Sequence, residues 1–147
     1  WLMEQKADFG STFVNFFFPD VNTTDYVVTR ENLHRDITIS FSVDGKSLDY
    51  VIENKLKSVP TKKQLETYDC EKGVLTGLSK PTFDMPAKWH FVSYEEICQK
   101  LRSLEIKDYF IKKIVEPLVL IFFAIKLPRS GSKILWLKSL GSPESVK

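Results

Sequence analysis

An alternation of polar and apolar residues over positions 36–43 constrains the fold of this chain more than any other feature. Positions 36, 38, 40 and 42 are polar, whereas positions 37, 39, 41 and 43 are apolar. Because successive side chains of a β-strand point to opposite faces, this pattern predicts a strand with one buried face. The dipeptide Asp44-Gly45, typical of tight hairpin turns, comes next, and a more apolar stretch at 48–55 predicts the returning strand.

Helix signals lie on both sides of this predicted hairpin. A dense apolar and aromatic cluster at 13–18 predicts a helix packed on a core, and Gly10 separates it from an apolar chain start that also suggests a helix. Two capping boxes, TKKQ at 61–64 and SYEE at 93–96, predict that helices begin there. Pro60 suits the first turn of the helix that follows it.

Two further strands, over 74–78 and 89–92, are predicted after the hairpin. The resulting order is helices, hairpin, helix, strand, strand, helices, which is typical of an α/β protein with helices layered on a sheet. No internal repeat or low-complexity linker interrupts the sequence, so we expect a single domain over 1–147. The tail after about residue 128, rich in Gly, Ser and Lys, is left unassigned.

Composition narrows the class of protein. Hydrophobic residues make up 43% of the 147 positions and charged residues 27%, a globular profile that excludes a fibrous or disordered chain. The net charge of +2 excludes a polycation but allows a local basic surface. Because the chain has only Cys70 and Cys98 and no signal peptide, we expect a cytoplasmic protein without a disulfide framework.

One apolar run is long enough to need separate consideration. Leu118 begins eight consecutive apolar residues, LVLIFFAI, that end at Ile125. A membrane-spanning helix needs about 20 such residues, so we expect no membrane segment here. The run is predicted to be either a buried helix or a homodimer interface, and the sequence does not separate the two.

Two carboxylates and one ammonium converge at one end of the predicted hairpin. A two-residue turn places Asp36 opposite Glu53, and a four-residue turn places it opposite Lys55. Both registers put the three side chains on one face, because Glu53 and Lys55 are two positions apart on a strand. Neighbouring carboxylates repel, and a hard divalent cation such as Mg²⁺ relieves that repulsion. The following helix places Gln64 and Tyr68 on one face, from which they can return over the strand ends.

At these positions the sequence resembles the PD-(D/E)XK nuclease superfamily. The matching elements are Arg35-Asp36, the hairpin, Ile52-Glu53-Asn54-Lys55, and Gln64-Leu65-Glu66-Thr67-Tyr68. The last element is similar to the QxxxY motif of the RecB-like and lambda-exonuclease-like branch. Arg35 stands where the superfamily loosely keeps a proline. The likeness is strongest over 36–68, and it implies a restriction-endonuclease-like three-layer core with a central mixed sheet flanked by helices.

The resemblance implies a metal-dependent nuclease that hydrolyses phosphodiester bonds of nucleic acid, with DNA as the expected substrate. Asp36 and Glu53 would hold Mg²⁺ or Mn²⁺. Lys55 would orient the attacking water and stabilise the charge that builds on the phosphate. Gln64 and Tyr68 would steady the site or contact the phosphodiester.

Further residues complete the site that the resemblance implies. The branch has a metal-binding glutamate on its first helix, and this role would fall to Glu4, to Glu31 or to a residue before position 1. Three lysines that flank the site, Lys57, Lys62 and Lys63, are expected to hold the nucleic-acid backbone. Such contacts are sensitive to salt and indifferent to base sequence.

Each part of this site also has a plainer explanation. Glu53 and Lys55 fit an ion pair at a strand end, Gln64 a helix cap, and Tyr68 a half-buried packing residue. The lysine pair at 62–63 fits a solvated helix face. The alternative function is therefore a catalytically inactive module that keeps the nuclease fold and binds nucleic acid or serves in an assembly.

Overall fold

The computed structural model of this protein describes residues 2–4, 8–21, 23–32, 34–55, 60–104, 112–113 and 115–117. The chain divides into two units, Trp1–Lys100 and Leu101–Lys147. The single domain stays a prediction, and both the apolar run at 118–125 and the tail after 128 lie outside the described residues. None of the described helices is long and apolar enough to cross a membrane.

The described elements form an α/β arrangement around one five-stranded sheet. After a 3-10 turn at Leu2–Glu4, they are α1 (Asp8–Phe17), β1 (Val27–Asn32), β2 (Arg35–Val43), β3 (Lys46–Lys55), α2 (Lys62–Glu66), β4 (Lys72–Gly77), β5 (Trp89–Ser93) and α3 (Tyr94–Ser103). The strands lie in the order β1-β2-β3-β4-β5. β2 is antiparallel to both β1 and β3, whereas β4 is parallel to both β3 and β5. The predicted α/β class with a mixed sheet is therefore confirmed.

The first unit packs different residues on the two faces of this sheet. Phe18, at the end of α1, contacts Tyr50 and His90, with ring centroids 4.8 and 6.2 Å apart. The residues on either side of Tyr50 in β3 point to the opposite face. On that face α2 inserts the fully buried Leu65, which packs with Val51, Tyr68, Leu75 and Trp89.

α1 runs straight through Gly10, so the prediction that this glycine separates two helical segments was wrong. Phe9, Phe13 and Phe17 are four residues apart along one side of the helix; the first two rings stack with centroids 6.2 Å apart, and the last two meet edge to face at 5.3 Å. A glycine within a helix costs about 1 kcal/mol. Burial of the aromatic side chains at Phe13 and Phe17 offsets that cost.

β1 is the strand that the sequence analysis did not predict. It lies at one edge of the sheet and pairs with β2 from Val27 opposite Ser40 to Asn32 opposite Arg35. Val27 is 65% exposed, and most of the strand faces solvent. An edge strand with so little burial carries no strong apolar alternation, and its pairing with β2 is what holds it.

Both predicted capping boxes lie at helix starts. The Thr61 hydroxyl accepts a hydrogen bond from the backbone amide of Gln64 at 3.2 Å. α2 begins at Lys62, directly after this cap. The Ser93 hydroxyl accepts from the Glu96 amide at 3.1 Å, while Glu96 accepts from the Ser93 amide at 2.7 Å. Pro60 precedes the cap of α2 instead of occupying its first turn, because Thr61 has extended backbone angles.

Candidate active site

The β2–β3 hairpin fixes which residues face one another at the site. The turn at 44–45 has φ angles of 51° and 77°, the positive values that a two-residue type I′ turn requires. The ladder that starts at this turn ends with Ile37 opposite Ile52. Continuing the register by one residue places Asp36 opposite Glu53. Of the two predicted registers, the one with the two-residue turn is therefore the one observed.

Glu53 is a buried acid, with only 2% of its surface exposed. The ammonium of Lys55 lies 2.5 Å from Glu53 Oε1. The second oxygen, Oε2, is also buried, and no described residue donates a hydrogen bond to it. A buried acceptor without a donor is unfavourable, and within the part of the chain that the structure describes this oxygen has none.

Asp36 is held in place by the backbone of the neighbouring strand. The Asn54 amide donates a hydrogen bond of 2.6 Å to Asp36 Oδ2, just beyond the last pair of the β2–β3 ladder. A short bond from an amide to a charged carboxylate is stronger than a neutral one, so it orients the side chain. The structure thus brings Asp36, Glu53 and Lys55 together at one end of the hairpin.

Gln64 lies on α2, but the helix ends at Glu66, so the prediction that one helix carries both Gln64 and Tyr68 on one face was wrong. Leu65 is fully buried and attaches the helix to the sheet, and Tyr68 is 8% exposed. The Tyr68 hydroxyl donates to the His34 carbonyl at 3.1 Å. Burial, together with the negative charge of Glu53, raises the pKa of Tyr68 to about 12, and a hydrogen bond with Gln64 opposes this shift. Tyr68 is therefore both a packing residue and a neighbour of the buried acid.

Two cationic side chains to which the sequence analysis gave no role in the site hold the loop after α2. The Arg35 guanidinium donates to the Asp69 carbonyl at 2.5 Å and to the Asp49 carboxylate at 3.0 Å. The Lys88 ammonium donates to the Tyr68 carbonyl at 2.6 Å. These bonds fix the backbone that carries Tyr68. No local pattern predicts them, because Arg35 and Asp69 are 34 residues apart.

A second group that the sequence analysis missed surrounds Asn54. Its Oδ1 atom accepts hydrogen bonds from the Thr76 hydroxyl at 3.2 Å and from the Tyr94 hydroxyl. These donors are 22 and 40 residues away in the chain. They meet Asn54 only because β4 pairs with β3 and α3 begins at Tyr94, which the sequence alone does not specify.

Of the predicted nucleic-acid contacts, two lie on the surface of α2. Lys62 and Lys63 are both exposed, at the start of the helix that carries Gln64. Lys57 lies outside the described residues. The two described lysines therefore give the first turn of α2 an exposed basic surface.

Neither of the two acids predicted to complete a metal site within the chain joins Asp36 and Glu53. Within the described ranges, no group of three or more His, Cys, Asp or Glu side chains is arranged to hold a metal ion. Glu4 forms an ion pair with Arg30 at 3.2 Å, and Glu31 is exposed on β1. The carboxylates that the described site brings together are therefore those of Asp36 and Glu53.

Comparisons with known proteins assign no family to this chain. No protein-family model, no curated protein and no solved structure matches it. The geometry around Glu53 and the α/β arrangement that creates it are therefore the basis for a proposal of function.

Proposed function

We propose that this protein is a metal-dependent nuclease that hydrolyses phosphodiester bonds of nucleic acid, DNA in particular, on a restriction-endonuclease-like core. One observation carries the proposal. Glu53 is buried opposite Asp36, pairs with Lys55 at 2.5 Å, and has an oxygen to which no described residue donates. Burying one of two facing acids opposes folding unless a cation joins them. Proteins accept such local conflicts chiefly at functional sites.

Asp36 and Glu53 fit a small, hard cation. Mg²⁺ keeps several waters and is usually bound through one or two carboxylates together with phosphate oxygens of the substrate. No described residue donates to Oε2 of Glu53, and this oxygen would serve as a ligand of this kind. These two residues would hold Mg²⁺ or Mn²⁺, and the bound ion would supply an activated water and neutralise charge on the phosphodiester.

The other site residues support the reaction through position and charge. Lys55 has 22% of its side chain exposed, so its ammonium can reach a phosphate oxygen while it stays close to Glu53. A fixed ammonium at that point stabilises the negative charge that develops on the phosphate. Tyr68 neighbours the acid, and Gln64 is hydrogen-bonded to Tyr68.

The surface of α2 indicates how the substrate would be held. Exposed lysines at 62 and 63 offer charge to a phosphate backbone, which is attractive for any base sequence and weakens as salt rises. This favours nucleic acid over an uncharged ester as the substrate class. Because the chain uses few cysteines, a cytoplasmic setting is part of the proposal.

A second candidate is an inactive module that keeps the fold and binds nucleic acid or serves in an assembly. Its support is that Lys55 already neutralises one oxygen of Glu53, and that the described residues gather two acids and not three. This candidate predicts binding that depends on salt and on the lysines of α2, without turnover.

Cleavage and cation binding test the proposal together. Wild type, Glu53→Gln and Asp36→Asn are incubated with duplex DNA, single-stranded DNA and RNA in Mg²⁺ or Mn²⁺, and Mn²⁺ binding is followed by calorimetry. We expect wild type to cleave DNA and both variants to lose about 100-fold or more in rate, because each removes a preorganised charge. The heat of Mn²⁺ binding should also disappear. Asp44→Asn is the matched control, since Asp44-x-Lys46 repeats the spacing of the site triplet at the exposed end of the hairpin.

The outcomes separate the two candidates. Variants that cleave as well as wild type would show that Asp36 and Glu53 are not the catalytic acids. Binding without cleavage, abolished when Lys62 and Lys63 are changed to Gln, would favour the inactive module. Thermal melting of each variant checks that a loss of activity is not a loss of folding.

A further inference from the structure

Asn54 lies between the two site residues of β3. Because side chains alternate along a strand, Glu53 and Lys55 point to one face of the sheet and Asn54 to the other. On that second face, Asn54 Oδ1 accepts from the Thr76 hydroxyl and from the Tyr94 hydroxyl. Thr76 is 3% exposed and also donates to the Glu53 carbonyl at 3.4 Å. The middle residue of the Glu53-x-Lys55 triplet is thus held by hydrogen bonds on the opposite face of the sheet.

The same residue also reaches the opposite strand. The backbone amide of Asn54 donates to Asp36 Oδ2 at 2.6 Å. The β2–β3 ladder ends at Ile37 opposite Ile52, so this bond takes the place of a further backbone pair. The direction of the Asn54 amide therefore sets the direction of the Asp36 carboxylate.

We propose that Tyr94 is a positioning residue for this site, acting through Asn54 on Asp36, Glu53 and Lys55; the inference rests on the proposed nuclease function. Tyr94 is the first residue of α3, and the Ser93–Glu96 capping box fixes where that helix begins. The Tyr94 hydroxyl donates a hydrogen bond to the side-chain oxygen of Asn54. The backbone amide of Asn54 in turn donates to the Asp36 carboxylate. Tyr94 has no role in contacting the reacting atoms.

A role in positioning explains the network better than a role in stability. The hydrogen bonds of Asn54 lie at an exposed or part-buried strand end, where water competes and their net contribution to folding is small. Their geometry, however, determines the spacing of three charged side chains. Partners that orient metal-binding carboxylates commonly change metal affinity by about 10- to 100-fold when removed.

Tyr94→Phe tests this role, and Tyr50→Phe is its matched control. Tyr50 lies on another part of β3, and its hydroxyl donates to Asp20 at 2.9 Å. The control therefore removes an equivalent hydroxyl away from the site. We expect Tyr94→Phe to weaken Mn²⁺ binding about 10-fold by calorimetry and to lower kcat with KM unchanged. Without metal, hydrogen exchange at the Asn54 amide, measured by NMR, should speed up about 10-fold. Tyr50→Phe should change none of these quantities.

A second pair of variants keeps the test independent of one substitution. Thr76→Val removes the other donor and should act in the same direction, whereas Thr76→Ser keeps the hydroxyl and should behave as wild type. Mn²⁺ affinity and Asn54 exchange in Tyr94→Phe that match wild type would overturn the proposal. If wild type itself neither binds Mn²⁺ nor cleaves DNA, the proposed function fails. In that case unchanged Asn54 exchange in Tyr94→Phe would also rule out the link from Tyr94 to Asp36.

Discussion

Two polar clusters lie at opposite ends of the parallel pairing between β3 and β4, and they are built differently. At the start of the pairing Tyr50 lies opposite Lys72, and both donate to Asp20, at 2.9 and 2.7 Å. At the end of the pairing, the buried Glu53 receives the Lys55 ammonium and faces a second acid. The first cluster gives one carboxylate two donors. In the second, the ammonium pairs with one oxygen of the buried carboxylate, and the facing carboxylate accepts a backbone amide instead.

Burial sharpens the difference between the clusters. The side chains of Asp20 and Lys72 are 47% and 45% exposed, whereas the side chain of Glu53 is 2% exposed. An exposed and balanced pair ties a loop to the sheet at little cost, and its contribution to stability is small. A buried ion pair in which the acid is only partly compensated opposes folding. Among the described residues, the proposed site therefore differs from the first cluster not in having charged residues but in burying an acid with one oxygen that receives no donor.

The largest effect is expected when the lysine ammonium is removed from each of the two clusters in turn. Lys55→Met leaves the Glu53 carboxylate buried without a cationic partner, and we expect the free energy of unfolding to fall by about 3 kcal/mol. Lys72→Met removes a half-exposed pair and should lower it by less than about 1 kcal/mol. Urea denaturation of both variants at neutral pH measures the difference.

The double variant Glu53→Gln/Lys55→Met is the control for this test. It removes the charge from both partners while it keeps their approximate shape, so most of the lost stability should return. A Lys55→Met variant that loses no more stability than Lys72→Met would mean that Glu53 is compensated in solution. The contrast between the two clusters would then fail.

A smaller effect on stability is expected when the pH is lowered through the titration of Asp20, the carboxylate of the first cluster. Burial raises the pKa of Asp20, but hydrogen bonds from Lys72 and Tyr50 outweigh it, and the net pKa lies below the ordinary 3.8. A carboxyl with a lowered pKa stabilises the fold above its unfolded pKa, and that stability is lost as pH falls through the folded pKa. In thermal melts, the melting temperature of wild type should exceed that of Asp20→Asn above about pH 4, and this difference should shrink as the pH falls through the lowered pKa. A difference that stays constant over that range would contradict the cluster described here.

The parts of the site that the sequence could predict are those fixed by neighbouring residues. Asp44-Gly45 predicts the hairpin turn and places Asp36, Glu53 and Lys55 on one face, and the observed φ angles select the register with Asp36 opposite Glu53 from the two left open. The helix starts at Thr61 and Ser93 depend on bonds that span three residues. Such signals are local, so they can be recognised in the sequence without knowledge of the fold.

The remaining parts depend on contacts between distant residues. The bond from Tyr94 to Asn54 spans 40 residues and exists only because α3 begins where β5 ends. The bond from Arg35 to Asp69 spans 34 residues and depends on where the loop after α2 lies. β1 escaped prediction for a related reason: as an exposed edge strand it is held by β2 and not by its own apolar pattern.

The smallest predicted effect concerns Glu96, an exposed carboxylate that is fully engaged in the capping box of α3. Hydrogen bonds from the Ser93 hydroxyl and amide lower its pKa below the ordinary 4.5. Glu96→Gln keeps a hydrogen-bond acceptor but removes a negative charge from a helix start, so it should cost about 0.3 kcal/mol at neutral pH. The cost should vanish as pH falls through the lowered pKa, because wild type then loses the same charge. Comparing the urea midpoints of both proteins at neutral and acidic pH measures this. A loss at neutral pH as large as that of Lys55→Met would mean that exposure does not separate satisfied carboxylates from the buried one at the site.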